Sequence, residues 1–354
     1  MKSKTVAVLP GDGIGTEIMN QAIKVLDSVS KKYSFNFNFK YADVGGTAYD
    51  KFGTALPEET IKICEESDAI LFGSVGGPKW QDLPREKMIE RVALLGLRKH
   101  FGFFANLRPA VLYPEMINAS PLKNIPRNGF DIMILRELSG DVYFGNSNLE
   151  EDVATDEIKY TREQCTRIAK SAFELATKRK NHVTCVDKSN VLSSSILFRK
   201  FVTEVYKKYP HIELDYLYID NATMEIIRRP QKFDVIVTTN LFGDILSDEV
   251  AMLTGSIGMQ ASASLNEKGF GFYEPSGGSA PDITGKGIAN PIAQILSGAL
   301  MIRHSFNEEK ASQSVENAVR KALRDGFRTK DIMEQGMKEV GTSEMGDLVA
   351  QRIK

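Results

Sequence analysis

Short apolar runs rich in β-branched residues alternate with amphipathic stretches along the whole chain, and most of the runs stop at glycine, proline or a charged residue. That alternation is the mark of an α/β architecture, because two periodicities must be buried against each other in layers. Strands are expected at Thr5–Leu9, Asp68–Phe72, Phe130–Leu135, Thr184–Val186, Ile212–Ile219 and Phe233–Thr238. A helix should run from about Thr16 to Lys32, with Ile18, Ala22, Leu26 and Val29 on one face. A second should run from Thr161 to Lys180, opened by a Thr161/Gln164 capping box, and a third should carry Leu197, Phe201, Val205 and Tyr209. From Pro291 onward the pattern is mostly helical. The chain's 354 residues suggest two domains, although no linker marks a boundary.

The 45 basic and 46 acidic residues leave a net charge of −1, which argues against a nucleic-acid or anionic-membrane binder. No apolar run approaches the roughly 18 residues of a membrane span. The opening MKSKTVAVLPGDG has no signal-peptide pattern, and Cys64, Cys165 and Cys185 are an odd, scattered set. A reducing cytoplasm is therefore expected, without disulfides.

Polar clusters fall where the strands end, which is where open α/β sheets hold ligands. Gly11–Gly15 (GDGIG) lies between a strand and a helix, where backbone N–H groups attract anions, but a plain tight turn explains it equally well. Arg98, Arg108 and Arg136 suit a dianionic small acid, since guanidinium groups bind carboxylates bidentately. Asp244 and Asp248, four apart on a helix beginning near Asp244, would repel unless a hard cation sat between them. Alternatively, Asp244 caps the helix and Asp248 meets its dipole. Asp220, read as ending a strand, could add a third carboxylate. Lys188 and Tyr143 are a candidate proton acceptor and donor. The Gly/Pro/Ser-rich stretch from Glu274 to Asn290 reads as a shaped loop able to wrap a nucleotide. The four histidines and three cysteines show no metal-ligand spacing. A metal-dependent phosphohydrolase would use the same aspartates and glycine loop.

Together and in order, LPGDGIG, GSVGGPKW, LRKHF, NLRP, RELSGDVYFG, VDKSNVL, YIDNATM, NLFGDILSDE and EPSGGSAPDITGKGIANPIAQILS resemble the isocitrate/isopropylmalate dehydrogenases, a β-decarboxylating family. The resemblance spans the chain. It implies a two-domain α/β fold that is not the Rossmann fold. Residues 1–103 plus 253–354 would form one discontinuous domain, and residues 104–252 a central domain carrying a dimer interface. It implies a homodimer with shared active sites, in which Lys188 and Asp220 reach the neighbouring subunit. Arg98, Arg108 and Arg136 would bind the malate carboxylates, and Asp220, Asp244 and Asp248 would hold Mg²⁺ or Mn²⁺. Lys188 would take the hydroxyl proton as hydride leaves for NAD, and Tyr143 would support protonation after carbon dioxide is lost. The cofactor would meet Gly73, Ser74, Val75, Gly76, Gly77, Pro78 and Glu86 on one side. On the other it would meet Gly278, Ser279, Ala280, Pro281, Asp282, Ile283 and Asn290, with Asn190 near the nicotinamide.

Leu94 and Leu95 stand where the isopropylmalate branch of the family places an apolar pocket, which predicts 3-isopropylmalate as substrate and a role in leucine biosynthesis. Asp282-Ile283 resembles the NAD-type pair, the carboxylate accepting from the ribose and repelling a 2′-phosphate. Three residues depart from the family pattern: Thr16 for proline, Ser189 for alanine, and Asp141 where glycine or tyrosine is usual. Asp141 adds a negative charge near the proposed proton donor and is expected to alter the pH profile.

Overall fold

A computed structural model describes residues 2–125 and 127–354. Among them, ten strands form one sheet in the order β2-β1-β3-β12-β11-β4-β5-β10-β8-β9. These are β1 (Lys2–Gly11), β2 (Phe35–Tyr41), β3 (Ala69–Ser74), β4 (Ala105–Leu112), β5 (Phe130–Glu137), β8 (His182–Asp187), β9 (Glu213–Tyr218), β10 (Val235–Thr238), β11 (Ala261–Leu265) and β12 (Gly271–Pro275). A separate exposed hairpin pairs β6 (Ser147–Leu149) with β7 (Ala154–Asp156). A short parallel pair joins β13 (Phe327–Arg328) to β14 (Lys338–Glu339). The principal helices are α1 (Gly15–Tyr33), α2 (Gly46–Phe52), α3 (Glu58–Glu65), α4 (Gly96–His100), α5 (Arg162–Thr177) and α6 (Ser193–Tyr206). The remainder are α7 (Ile219–Arg228), α8 (Asn240–Leu253), α9 (Ile292–His304), α10 (Glu309–Arg324) and α11 (Thr342–Ala350). None of the described helices is long and apolar enough to cross a membrane.

Central strands such as β3 and β10 are buried along their whole length, as strands covered by helices on both faces must be. Edge strand β2 instead alternates half-buried Phe35, Phe37 and Phe39 with exposed Asn36 and Asn38. Helix α5 begins at the expected capping box, Thr161 and Gln164 each bonding the other's backbone. Strands from residues 1–103 and 253–354 occupy one end of the sheet, and strands from 104–252 the other. The halves meet where β11 pairs antiparallel with β4. One large apolar core nevertheless runs beneath both, and a smaller one built on Phe72, Phe103 and Phe272 lies beside the first half.

This topology positions the polar clusters. Strands β5, β10, β8 and β9 are mutually parallel, so Arg136, Asn240, Lys188 and Asp220 all emerge at the same edge of the sheet. Two local expectations are corrected. Helix α8 starts at Asn240 with Thr239 as N-cap, so Asp244 lies within the helix rather than capping it. Strand β9 ends at Tyr218 and α7 starts at Ile219 without a loop, which puts Asp220 in a helical first turn rather than at a strand end.

Candidate active site

Two guanidinium groups, those of Arg108 and Arg136, bond to α8, and a third, that of Arg98, lies close enough for its charge to act on Asp244. Arg136 ends β5 almost completely buried; its Nε donates to Asn240 Oδ1 (2.8 Å) and its Nη1 to Asp244 Oδ1 (2.5 Å). Arg108 comes from β4, where strand pairing sets its neighbour Asn106 opposite Arg136. Its Nε donates to Asn106 Oδ1 (2.9 Å) and its Nη1 to Ser247 Oγ (2.8 Å). Arg98, on α4, is equally buried and pairs through Nη2 with Glu274 Oε1 at 2.9 Å. Arg98 Nε and Arg136 Nη2 are buried donors with no partner among the described residues. Unmet charged donors are costly, and a carboxylate is the acceptor whose geometry suits them. Burial, and next the Arg108 charge, push the Arg136 guanidinium down to about 10. Bringing an anion in would therefore relieve the site.

Asp244 and Asp248 share one face of α8, and Arg108 Nη1 lies 3.2 Å from one oxygen of each. A positive charge is thus already accepted where the two carboxylates meet. Burial pulls Asp244 upward, but the Arg136 and Arg108 charges more than offset it and hold the carboxyl below its ordinary value. Asp248 is raised, by burial first, with the Asp244 charge adding to it. Tyr143, in the loop after β5, donates to Asp244 Oδ2 at 2.5 Å, and the Arg136 guanidinium lies 5.2 Å from its ring centre. Burial and the bond to Asp244 push the phenol up to about 12, so it remains a proton donor at neutral pH.

Lys188 and Asp220 do not join this cluster. They pair with each other, Nζ to Oδ1 at 2.5 Å, and Asp220 is exposed. Among the described residues of the single chain no three carboxylate, histidine or cysteine side chains converge as a metal centre. Within the single chain Asp244 and Asp248 lie together, and Asp220 lies apart from them. Val191, three residues after Lys188, is 67% exposed, and Asn190 beside it is exposed too.

The glycine-rich segments meet at the other half of the sheet. Ile14 N–H donates to Ser279 O (2.9 Å) and Asp12 N–H to Ser74 O (2.7 Å), which joins the turn after β1 to the loops after β3 and β12. Gly13 is left-handed, and a Cβ there would lie 2.0 Å from Ser279 O, so only glycine admits this approach. The buried Asp12 carboxylate accepts from the N–H groups of Gly46 (2.7 Å), Thr47 (2.8 Å) and Gly76 (2.8 Å), holding the Gly73–Pro78 segment in place. Pro78, Glu86, Gly278, Pro281 and Asp282 are exposed; Val75, Gly77, Ala280 and Ile283 are half-buried. Asn290 is turned inward: its amide donates to Asp331 (3.0 Å) and its oxygen accepts from Ile292 N–H at the start of α9.

Leu94 and Leu95 fall in a π-helical stretch, Arg91–Leu95, that runs directly into α4. Such one-turn π segments displace side chains from the α register and recur at functional sites. Leu94 packs on the smaller core, whereas Leu95, half-buried, packs on neither core. Asp141, expected to add a negative charge near Tyr143, turns its carboxylate towards Val142 N–H, Tyr160 and Leu241 N–H. Sequence reasoning missed Asp12, Glu274, Asn106 and Ser247 as supports of the site. Only Asn106, two residues before Arg108 on a strand and so on its face, carried a local signal.

The isocitrate/isopropylmalate dehydrogenase family model matches residues 5–349. The chain belongs to that family. It is 54% identical to the 3-isopropylmalate dehydrogenase of Campylobacter jejuni, covering 100% of this chain and 99% of that one. It is 55% identical to that of Haemophilus influenzae over the full length of both. Among solved structures of the family, isocitrate dehydrogenase from Methylococcus capsulatus superposes with a TM-score of 0.89 at 32% identity, covering 99% of each chain. A β-decarboxylating dehydrogenase from Thermococcus kodakarensis gives 0.81 at 36% identity, over 99% of this chain and 96% of that one.

Proposed function

We propose that the protein is a 3-isopropylmalate dehydrogenase, oxidising and decarboxylating (2R,3S)-3-isopropylmalate to 4-methyl-2-oxopentanoate with NAD, in leucine biosynthesis. The observation that carries this is the convergence of Arg98, Arg108 and Arg136, with two buried unmet donors, beside Tyr143 and the Asp244/Asp248 pair. The full-length relatives named above support the isopropylmalate branch, and so does Leu95, an apolar side chain not claimed by either core.

The arginines bind the two substrate carboxylates and fix the C2 alcohol. Lys188 accepts the hydroxyl proton as the C2 hydride departs. The C3–carboxylate bond then breaks, its electrons passing into the C2–C3 enolate, and Tyr143 returns a proton to C3. Leu95 and Leu94 surround the isopropyl group. When bound, NAD would supply the hydride acceptor, and Mg²⁺ or Mn²⁺ would supply positive charge that stabilises the developing enolate. Asp244 and Asp248 fit such a cation, since they already accept one positive group between them. The glycine cradle at residues 11–15, 73–78 and 278–283 fits the dinucleotide, with Glu86 and Asn190 exposed for it and Asp282 for its ribose.

Asp220 and Lys188 complete the site of a second copy in a homodimer. Tyr218, Met224 and Ile227 on or beside α7, and Ile245 and Met252 on α8, are exposed apolar residues flanking Asp220 and Asp248. An isologous pairing of this face would bury them and bring each Asp220 to the other chain's Asp244 and Asp248. Residues 1–103 with 253–354 and residues 104–252 act as the two domains. Three buried free cysteines fit a cytoplasmic enzyme.

The test is NADH formation with NAD and Mg²⁺, comparing 3-isopropylmalate, isocitrate and D-malate. The expected result is clear preference for 3-isopropylmalate, abolished by EDTA. A preference for isocitrate would show that Leu94 and Leu95 do not line the pocket.

A further inference from the structure

Helix α8, which bears Asp244 and Asp248, has no side-chain cap of its own: Thr239 makes no capping bond. Its first N–H groups are satisfied from outside. Asn240 N–H donates to the Tyr160 hydroxyl (2.8 Å), and Leu241 N–H donates to Asp141 Oδ2 (3.2 Å). The Tyr160 hydroxyl in turn donates to the same Asp141 oxygen (3.1 Å). A buried carboxylate at a helix N-terminus also meets the positive end of its dipole. Asp141 therefore caps α8 from a different segment, the loop that carries Tyr143 two residues later.

Its backbone is committed as well. Asp141 has φ = +72°, a conformation that glycine adopts freely and aspartate at a cost. The cost is offset locally: Oδ1 accepts from Val142 N–H (2.9 Å), and the carbonyl accepts from Phe144 and Gly145 N–H (3.2 and 3.0 Å), which shapes the turn holding Tyr143. Loop and helix are thus joined three times. Asn240 Nδ2 donates to Gly140 O (3.0 Å), Leu241 N–H to Asp141, and Tyr143 to Asp244. The first two links fix where the third can form.

We infer that Asp141 is a positioning residue: by capping α8 from the Tyr143 loop, it holds the Tyr143 hydroxyl in register with the Asp244 carboxylate. This rests on the reading of Tyr143 as proton donor. It concerns a side chain that does not touch the reacting atoms and acts through Tyr143.

The test is a double-mutant cycle with a spectroscopic arm. Asp141→Gly relieves the left-handed backbone but deletes the cap; Asp141→Asn keeps an acceptor and tolerates the same φ. Asp141→Gly should lower kcat on 3-isopropylmalate about tenfold with KM changed less than about twofold, and Asp141→Asn should restore it. In a Tyr143→Phe background, Asp141→Gly should change kcat less than about twofold, because its effect passes through that hydroxyl. Independently of turnover, the ¹⁹F resonance of 3-fluorotyrosine at position 143, assigned by its loss in Tyr143→Phe, should shift in Asp141→Gly and not in Asp141→Asn. Equal losses in both backgrounds, an unchanged kcat, an unmoved resonance, or an Asp141→Gly protein that no longer folds would each overturn the proposal. A wild-type protein inactive on 3-isopropylmalate would defeat the substrate reading instead, and the ¹⁹F result would still decide the role of Asp141.

Discussion

At the scale of single residues, the site's chemistry depends on groups whose state is set by burial and neighbours. Tyr143 is protonated at neutral pH, and burial and Asp244 raise its phenol further, to about 12. Tyr143→Phe keeps the ring against Arg136 and removes the hydroxyl, with its proton and its bond to Asp244, so kcat should fall about 10²–10³-fold while KM for 3-isopropylmalate stays close to wild type. Steady-state NADH formation measures both constants, and an unchanged kcat would remove Tyr143 from the chemistry. Leu95→Ala deletes apolar surface facing the proposed isopropyl group. It should lower kcat/KM for 3-isopropylmalate by about 10–200-fold and leave D-malate, which has no such group, nearly unaffected. The arginines, aspartates, lysine and tyrosine were legible in the sequence because their residue types announce charge chemistry. The supports were not: Asp12 and Glu274 look like surface acids until the fold shows one holding three backbone amides and the other pairing with Arg98.

At the scale of elements, apolar periodicity placed six of the ten sheet strands and the long helices, because burial on a layered core dictates that period, but it did not indicate β2, β4, β11 or β12. It failed where two elements abut. Tyr218 and Ile219 continue an apolar pattern through the point where β9 becomes α7, and only hydrogen bonding separates them. The π turn at Arg91–Leu95 likewise leaves no compositional trace. Helix α9 carries a testable pH signature at its C-terminal end. Burial, and next the Arg303 charge, lower the His304 imidazole to about 4 from its ordinary 6.5. The folded chain therefore holds His304 neutral where the unfolded chain would protonate it. This contribution to stability is fully present above about pH 6.5 and is lost as pH falls towards 4. Urea midpoints at pH 7 and pH 5 should diverge less in His304→Gln than in the wild type; an identical divergence would show that the imidazole titrates normally.

At the scale of the whole molecule, one chain gathers Arg108, Arg136 and Tyr143 around Asp244 and, apart from them, holds a Lys188–Asp220 pair. That the two belong to different copies is what the family resemblance implies, and the exposed apolar face on α7 and α8 supports it. The claim that two chains build each site is the centre of this account, and mixing two inactive variants tests it most directly. Lys188→Met and Asp244→Asn should each abolish NADH formation alone. Unfolded and refolded together in equal amounts, half the dimers should be mixed, each with one intact site, and activity should return to about a quarter of wild type. Recovery to that level is the predicted result. No recovery, with mixed dimers demonstrated by mass, would place Lys188 and Asp244 in the same chain's site and contradict the account.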